Sequence, residues 1–324
     1  MSKAIRMSRT GGPEVMEYVD VEVGEPGPGE ARVRHAACGV NFVDVYFRTG
    51  LYPQELPGGL GKEGAGVVEA LGPGVSNVAV GDRVAYTGGP SGAYCEVRNV
   101  PASVLLRLPD AFSFETAAAM MLRGLTVQYL FKRTAQLKRG DTILFHAAAG
   151  GVGLIACQWA RALGVNMIGT VGSDEKARLA REHGCAHVIN YNTEDFVARV
   201  LEITNGEKVS VVYDSIGKDT FTGSLDCLRP LGLMVSFGNA SGPVPPFTLN
   251  ELASRGSLFI TRPSLFSYIA KRADLEAMAA DLFAIVSSGQ VKIEINQKYK
   301  LADAARAQGD LEARKTTGSI ILLP

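Results

Sequence analysis

The chain has 324 residues but only five cysteines, four histidines and one tryptophan. Cys38, Cys95, Cys157, Cys185 and Cys227 are scattered and never form a C-x-x-C pair. That spacing signals neither a disulfide framework nor a Cys-rich zinc lobe, and it fits free thiols in a reducing compartment. Net charge is missing as well: 33 Lys and Arg balance 33 Asp and Glu, so no global field draws the chain to nucleic acid or to an anionic membrane. No apolar run approaches the ~20 residues of a spanning helix. The segment MSKAIRMSRTGGPEV also lacks the apolar stretch of a signal peptide, and a cytoplasmic protein is expected. No serine has G-x-S-x-G surroundings, and neither Gly61-Lys62-Glu63 nor Gly217-Lys218-Asp219 has the hydroxyl that completes a P-loop. Hydrolase and nucleoside triphosphatase readings fall away.

What the chain does have is punctuation. Up to about residue 120, turn-rich stretches (GEPGPGE, GPGVSNVAVGDRV, TGGPSGAY) separate short β-branched runs such as Ala31–Arg34 and Gly66–Glu69, which reads as a small barrel or sandwich. Then the rhythm changes. Apolar runs at Thr142–Phe145, Asn166–Val171, His187–Asn190, Val209–Asp214, Leu233–Phe237 and Leu258–Thr261 alternate with amphipathic helices, which means βαβ crossovers and a doubly wound parallel sheet. In the helix after the first run, Ile155, Trp159, Ala162 and Leu163 fall on one stripe. The tail carries a helix closed by Gly289, a strand expected over Val291–Ile295 and a last strand Ser319–Leu323. The expected division is therefore 1–122 for the first part of a β-rich domain, 123–262 for a Rossmann dinucleotide domain, and 263–324 for a return to the first.

HAAAGGVG, residues 146–153, joins the first strand of that alternation to its helix. A strand, a tight turn and a helix N-terminus form an anion site, because unpaired amide N–H groups and the positive end of the helix dipole face the ligand. Gly150 and Gly153 match the last two glycines of G-x-G-x-x-G, with Gly151 and Val152 between them and Ala148 in the first position. About twenty residues further on, where NAD binders place an acid for the ribose hydroxyl, the chain has Val171, Gly172 and Ser173. Small residues there leave room for a 2′-phosphate, Ser173 can donate to it and Lys176 can meet its charge. NADPH is favoured over NADH, with Asp174 and Glu175 as the competing feature: an acid slightly displaced, or a solvated helix start.

Taken together, ACGVNFVDVYFRTGLYP, GKEGAGVVEALGPGV, VGDRVAY, AAAGGVG, VVYDSIGKDTF, GLMVSFGNASG and ITRPSL resemble the medium-chain dehydrogenase/reductase superfamily. Within it they resemble the zinc-free quinone oxidoreductase branch that includes zeta-crystallin. The resemblance runs nearly end to end and implies a GroES-like β-rich domain around an inserted Rossmann domain. Zinc relatives carry Cys and His ligands at positions that here hold Asn41 and Lys62. An amide is a poor ligand and an ammonium has no lone pair, so no metal is expected.

The same resemblance implies a pocket near the nicotinamide with Asn41, Tyr46, Tyr52 and Arg262: an orienting amide, two flat walls and a donor to a quinone oxygen. It also implies cofactor contacts at Asn41, Thr126, Gly151, Val152, Gly172, Ser173, Lys176, Tyr191, Ser215, Phe237, Gly238 and Arg314. The expected activity is NADPH-dependent reduction of a small-molecule quinone. Two alternatives stand beside it: an enone or alkenal double-bond reductase, and an NADPH-binding protein without catalysis, like crystallin or RNA-binding relatives. A homodimer joined through the Rossmann sheets is implied, with the apolar GSLFITRPSL as a plausible edge.

Overall fold

The computed structural model describes all residues, Met1–Pro324. They form two compact units, one of Met1–Leu125, Ile269–Ala280 and Ile293–Pro324, the other of Thr126–Tyr268 and Asp281–Lys292.

The first unit is built on the long strand Glu30–Val40, which pairs antiparallel with Glu63–Leu71, with Val97–Pro101 and with the C-terminal Ser319–Leu323. Register shifts between Arg32 and Val33 and between His35 and Ala37 bend the strand, as bulges do. Its inward residues Ala31 and Val33 pack with Val68, Val84, Tyr86 and Leu105, while Cys38 and Val40 pack with Ile320, Leu322 and Leu60. The strand therefore serves two cores.

In the second unit six parallel strands, β1 (Thr142–Phe145), β2 (Asn166–Val171), β3 (His187–Asn190), β4 (Val209–Asp214), β5 (Leu228–Ser236) and β6 (Phe259–Thr261), lie in the order β3-β2-β1-β4-β5-β6. The order reverses between β1 and β4, which is where such sheets open a crevice for a ligand at the strands' carboxyl ends. β1 through β4 coincide residue for residue with the apolar runs of the sequence. Covered on both faces, they carry the near-continuous apolar stretches of parallel strands. β5 starts earlier than expected, at Leu228.

The expected strand over Val291–Ile295 is instead a strand at Ile295–Lys300. The reason is a side chain: Gln158 Oε1 accepts from Lys292 N at 2.8 Å and Gln158 Nε2 donates to Lys292 O at 2.9 Å. A glutamine thus takes both of the backbone groups that a ladder would use. The same anchoring groups 281–292 with the second unit, helped by Asp281, which accepts from Gln128 Nε2 and Lys132 Nζ at 2.9 Å each.

Candidate active site

Helix α1 (Phe42–Thr49) begins at Asn41 on the first unit. The Asn41 backbone N–H donates to Asp44 Oδ2 at 2.9 Å, fixing the first turn, and its side-chain Nδ2 donates to Glu63 Oε2 at 2.7 Å. Tyr46 and Phe47 on α1 meet Tyr52 edge-on, with ring centroids at 5.1 and 5.8 Å, and Tyr52 N donates to Tyr46 O at 3.0 Å. Tyr46 and Tyr52 are thereby brought together, with Asn41 at the start of the helix that carries Tyr46. Lys62 Nζ donates to Gly89 O at 2.8 Å and lies 4.7 Å from the Phe47 ring centroid, and burial lowers its pKa.

Behind this surface lies a charged cluster that sequence reasoning did not find. Glu63 and Asp44 are fully buried, and Arg123 is nearly so. Glu63 Oε1 accepts from Leu122 N at 2.7 Å, and Arg123 Nη1 stands 3.8 Å from Oε2. Asp44 Oδ2 also accepts from the Tyr94 hydroxyl at 2.8 Å, while its Oδ1 is buried without a partner. Burial pushes the Glu63 carboxyl up to about 7 and that of Asp44 up to about 6, with Arg123 opposing both. A carboxylate alone among glycines and apolar residues in GKEGAGVV is the one signal that could have pointed to it.

On the second unit the predicted residues follow the carboxyl ends of the strands. After β1, Ala147 takes a left-handed φ of 58°, and Gly150 caps helix α2 (Gly151–Leu163) without a side-chain bond. The first turn of α2 therefore has no side-chain cap on its N–H groups. A Cβ on Gly153 would overlap Ala147 O and Ala148 O, so this glycine lets the helix close onto the turn.

After β2, Ser173 caps helix α3 (Asp174–Glu182) by accepting from Lys176 N at 3.2 Å. A Cβ on Gly172 would come within 2.6 Å of the Tyr191 hydroxyl, which places Tyr191, after β3, against Gly172. Asp174 Oδ1 accepts from Asn190 Nδ2 at 2.8 Å, so this acid is tied to β3.

After β4, Asp214 accepts from Ile216 N, Gly217 N, Thr220 Oγ1 and Ser224 Oγ at 2.7–2.9 Å and shapes the turn that carries Ser215. With its hydroxyl proton on Asp214, Ser224 Oγ accepts from His146 Nε2 at 2.9 Å, while Thr170 Oγ1 donates to His146 Nδ1 at 2.9 Å. His146 is therefore a neutral brace joining β1, β2 and β4, its pKa lowered by burial. Gly238 packs against Ser215, where a Cβ would overlap Ser215 O, and Phe237 meets Phe145 at 5.7 Å. Arg262, after β6, donates through Nη1 to Ser236 O at 2.8 Å and Gly238 O at 3.4 Å, tying this loop down. Thr126 is buried on this unit, whereas Arg314 lies on the first, at a left-handed φ of 58°.

A family model described as an alcohol dehydrogenase GroES-like domain matches residues 27–110, and one described as a zinc-binding dehydrogenase matches residues 151–283. Fold and glycine turn together define a medium-chain dehydrogenase/reductase. A quinone oxidoreductase of Pseudomonas aeruginosa is 58% identical over the whole of both chains. The crystal structure of Escherichia coli quinone oxidoreductase complexed with NADPH is 50% identical, with a TM-score of 0.98 over 99% of this chain and 100% of that one. A 2-haloacrylate reductase of Burkholderia is 46% identical over 100% of this chain and 99% of its own. The chain belongs to the quinone oxidoreductase branch of the superfamily. A zinc ion does not fit its residues: Asn41 and Lys62 stand at the ligand positions with their N–H donors committed to Glu63 and Gly89. No group of three or more His, Cys, Asp or Glu side chains could hold a metal.

Proposed function

We propose that the protein catalyses the NADPH-dependent reduction of a quinone, by electron or hydride transfer, without a metal ion. The observation that carries this reading is full-length likeness, at 50–58% identity, to quinone oxidoreductases, one of them solved with NADPH. NADPH when bound supplies the reducing electrons, and the chain binds, orients and shields.

We assign cofactor binding to the second unit and the catalytic domain to the first, so that the expected 123–262 becomes 126–268 with 281–292. The uncapped first turn of α2, through Gly150, Gly151, Val152 and Gly153, holds the pyrophosphate. Ser173 and Lys176 hold the 2′-phosphate, and Thr126, Gly172, Tyr191, Ser215, Phe237, Gly238 and Arg314 complete the cofactor contacts. Asn41 orients cofactor and substrate by its amide, Tyr46 and Tyr52 offer flat walls to a ring, and Arg262 donates to a quinone oxygen. A quinone is already electrophilic and needs no Lewis acid to be reduced, whereas an unactivated carbonyl needs a Lewis acid or a tuned acid–base group. Support for a double-bond reductase comes from the 2-haloacrylate reductase relative, because the same groups would serve an activated alkene.

The deciding experiment is oxidation of NADPH and of NADH, each with a simple benzoquinone, with and without a chelator. Rapid, chelator-resistant loss of NADPH is expected. Binding of NADPH without turnover of any quinone overturns the reading, and turnover of 2-haloacrylate alone moves it to the alkene.

The finer assignments follow. A cytoplasmic setting is supported by five buried free thiols, and no helix is long and apolar enough to cross a membrane. A homodimer is supported by the open edge at β6, where Phe259 is 60% exposed and Leu231, on neighbouring β5, is 68% exposed.

A further inference from the structure

We infer that Glu63 is a positioning residue for the ligand pocket: its buried carboxylate dictates which edge of the Asn41 amide, oxygen or nitrogen, is turned toward nicotinamide and substrate. The inference rests on the pocket role proposed above for Asn41. The two edges of an asparagine amide have nearly the same shape, so only hydrogen-bond partners choose between them. The backbone of Asn41 is pinned by Asp44, which the Tyr94 hydroxyl holds in turn, and the Asn41 side chain faces the Asp44 main-chain N–H in a capping box. The cap favours the amide oxygen on that side, and Glu63, by accepting from Nδ2, fixes the same orientation from the other.

An ionised carboxylate only accepts. Both oxygens of Glu63 are engaged, Oε2 by Asn41 Nδ2 and Oε1 by Leu122 N, each at 2.7 Å. Turning either donor away would leave a buried polar group unpaired. Room for the carboxylate comes from Gly39, where a Cβ would overlap both Glu63 Oε2 and Ala118 O. A glutamine side chain in place of Glu63 has the same shape but one acceptor for two donors. With Leu122 N fixed in its helix, the NH2 of that glutamine faces Asn41, and the Asn41 amide turns over to offer its oxygen.

Protonation of Glu63 has the same effect. The charged and titratable groups around it are Arg123, next to Leu122 on the helix packed against it, Asp44 at the start of α1, the Tyr94 hydroxyl on Asp44, the buried Cys38 thiol on the long strand Glu30–Val40, and its chain neighbour Lys62. Burial and the nearby Asp44 raise the Glu63 carboxyl to about 7, while Arg123 and its two hydrogen bonds oppose them. The amide therefore loses its fixed orientation as pH falls through neutrality, and kcat falls with it.

The experiment is a double-mutant cycle on the NADPH-loaded protein with benzoquinone, together with 15N NMR of the Asn41 side-chain amide in the wild type. Glu63→Gln should lower kcat by about 10- to 100-fold, remove its fall below neutral pH, and change the NADPH Kd by less than about threefold. In an Asn41→Ala background it should add no further loss beyond about twofold. The wild-type Asn41 amide should titrate with an inflection near pH 7, a readout that needs no variant to fold and no turnover. Additive losses in the cycle, a folded Glu63→Gln protein with wild-type kcat and pH profile, or an Asn41 amide that does not titrate would each overturn the inference. A wild type that turns over no quinone overturns the activity proposed above, and the NMR titration then decides the Glu63–Asn41 link alone.

Discussion

Lys176→Ala separates cofactor recognition from folding, and the geometry says why. The cap of α3 uses the main-chain N–H of residue 176, donated to Ser173 Oγ, so it survives loss of the side chain. Alanine is also the better helix former. What disappears is the ammonium proposed to meet the 2′-phosphate. A charge-assisted hydrogen bond contributes about 1.5–3 kcal/mol. Since Lys176 is only half-buried, solvent screening brings its contribution to the bottom of that range or below it, at about 1–2 kcal/mol. That corresponds to a roughly 5- to 30-fold weaker NADPH Kd, with NADH almost unchanged. Nicotinamide fluorescence titrations with both cofactors measure it, and added salt should narrow the gap between them. Equal losses for NADPH and NADH would refute the 2′-phosphate role. Tighter binding of NADH by the wild type would mean that Asp174, despite its bond to Asn190, reads the ribose hydroxyl.

Three further outcomes are expected. Gly153→Ala should lower stability by about 1–3 kcal/mol and weaken NADPH, although helix propensity alone favours alanine by roughly 1 kcal/mol; a higher Tm with unchanged Kd would show that the Gly153 contact with Ala147 and Ala148 relaxes freely. His35 donates to Cys95 O at 2.8 Å and shares a 2.9 Å bond with the Tyr86 hydroxyl, and burial lowers its pKa to about 4. A base lowered in this way contributes stability that is present above the unfolded value near 6.5 and is lost as pH falls toward 4, so the wild type's advantage over His35→Asn should shrink by about 2 kcal/mol between pH 6.5 and 5 in urea unfolding; parallel curves would contradict it. Phe259→Glu should convert a dimer to monomer in light scattering, and an unchanged mass would move the interface away from β6.

Much of the second unit was legible because its signals are local. An apolar strand buried on both faces needs no partner to be recognised, and β1 through β4 were bounded to the residue. Glycine and capping chemistry marked the starts of α2 and α3 equally well, since a turn and an uncapped helix end are written in consecutive residues. The unread features join residues far apart in sequence. Gln158 holds the backbone of Lys292, and so displaces a strand that β-propensity alone would start at Val291. Likewise, nothing local tells Asn41 that Glu63 is its partner, or Asp174 that Asn190 holds it. The candidate site residues were named by motif and by resemblance, while the groups that hydrogen-bond to them became visible only once the strands were paired.

The two positions where zinc relatives carry ligands show what a metal-free site must solve instead. A zinc ion fixes its ligands by coordination and polarises a poor electrophile. Here Asn41 and Lys62 are fixed by hydrogen bonds to Glu63 and Gly89, so order is kept without a Lewis acid. The acceptor must then bring its own electrophilicity, and the edge-on tyrosines Tyr46 and Tyr52 are the residues proposed above to offer it a flat surface. Order maintained by a buried carboxylate differs from order maintained by a metal in one respect: it can be titrated. Glu63 needs its charge to keep both donors in place, and burial brings its carboxyl to about 7. A chelator should therefore leave this enzyme untouched, while a small drop in pH below neutrality should slow it.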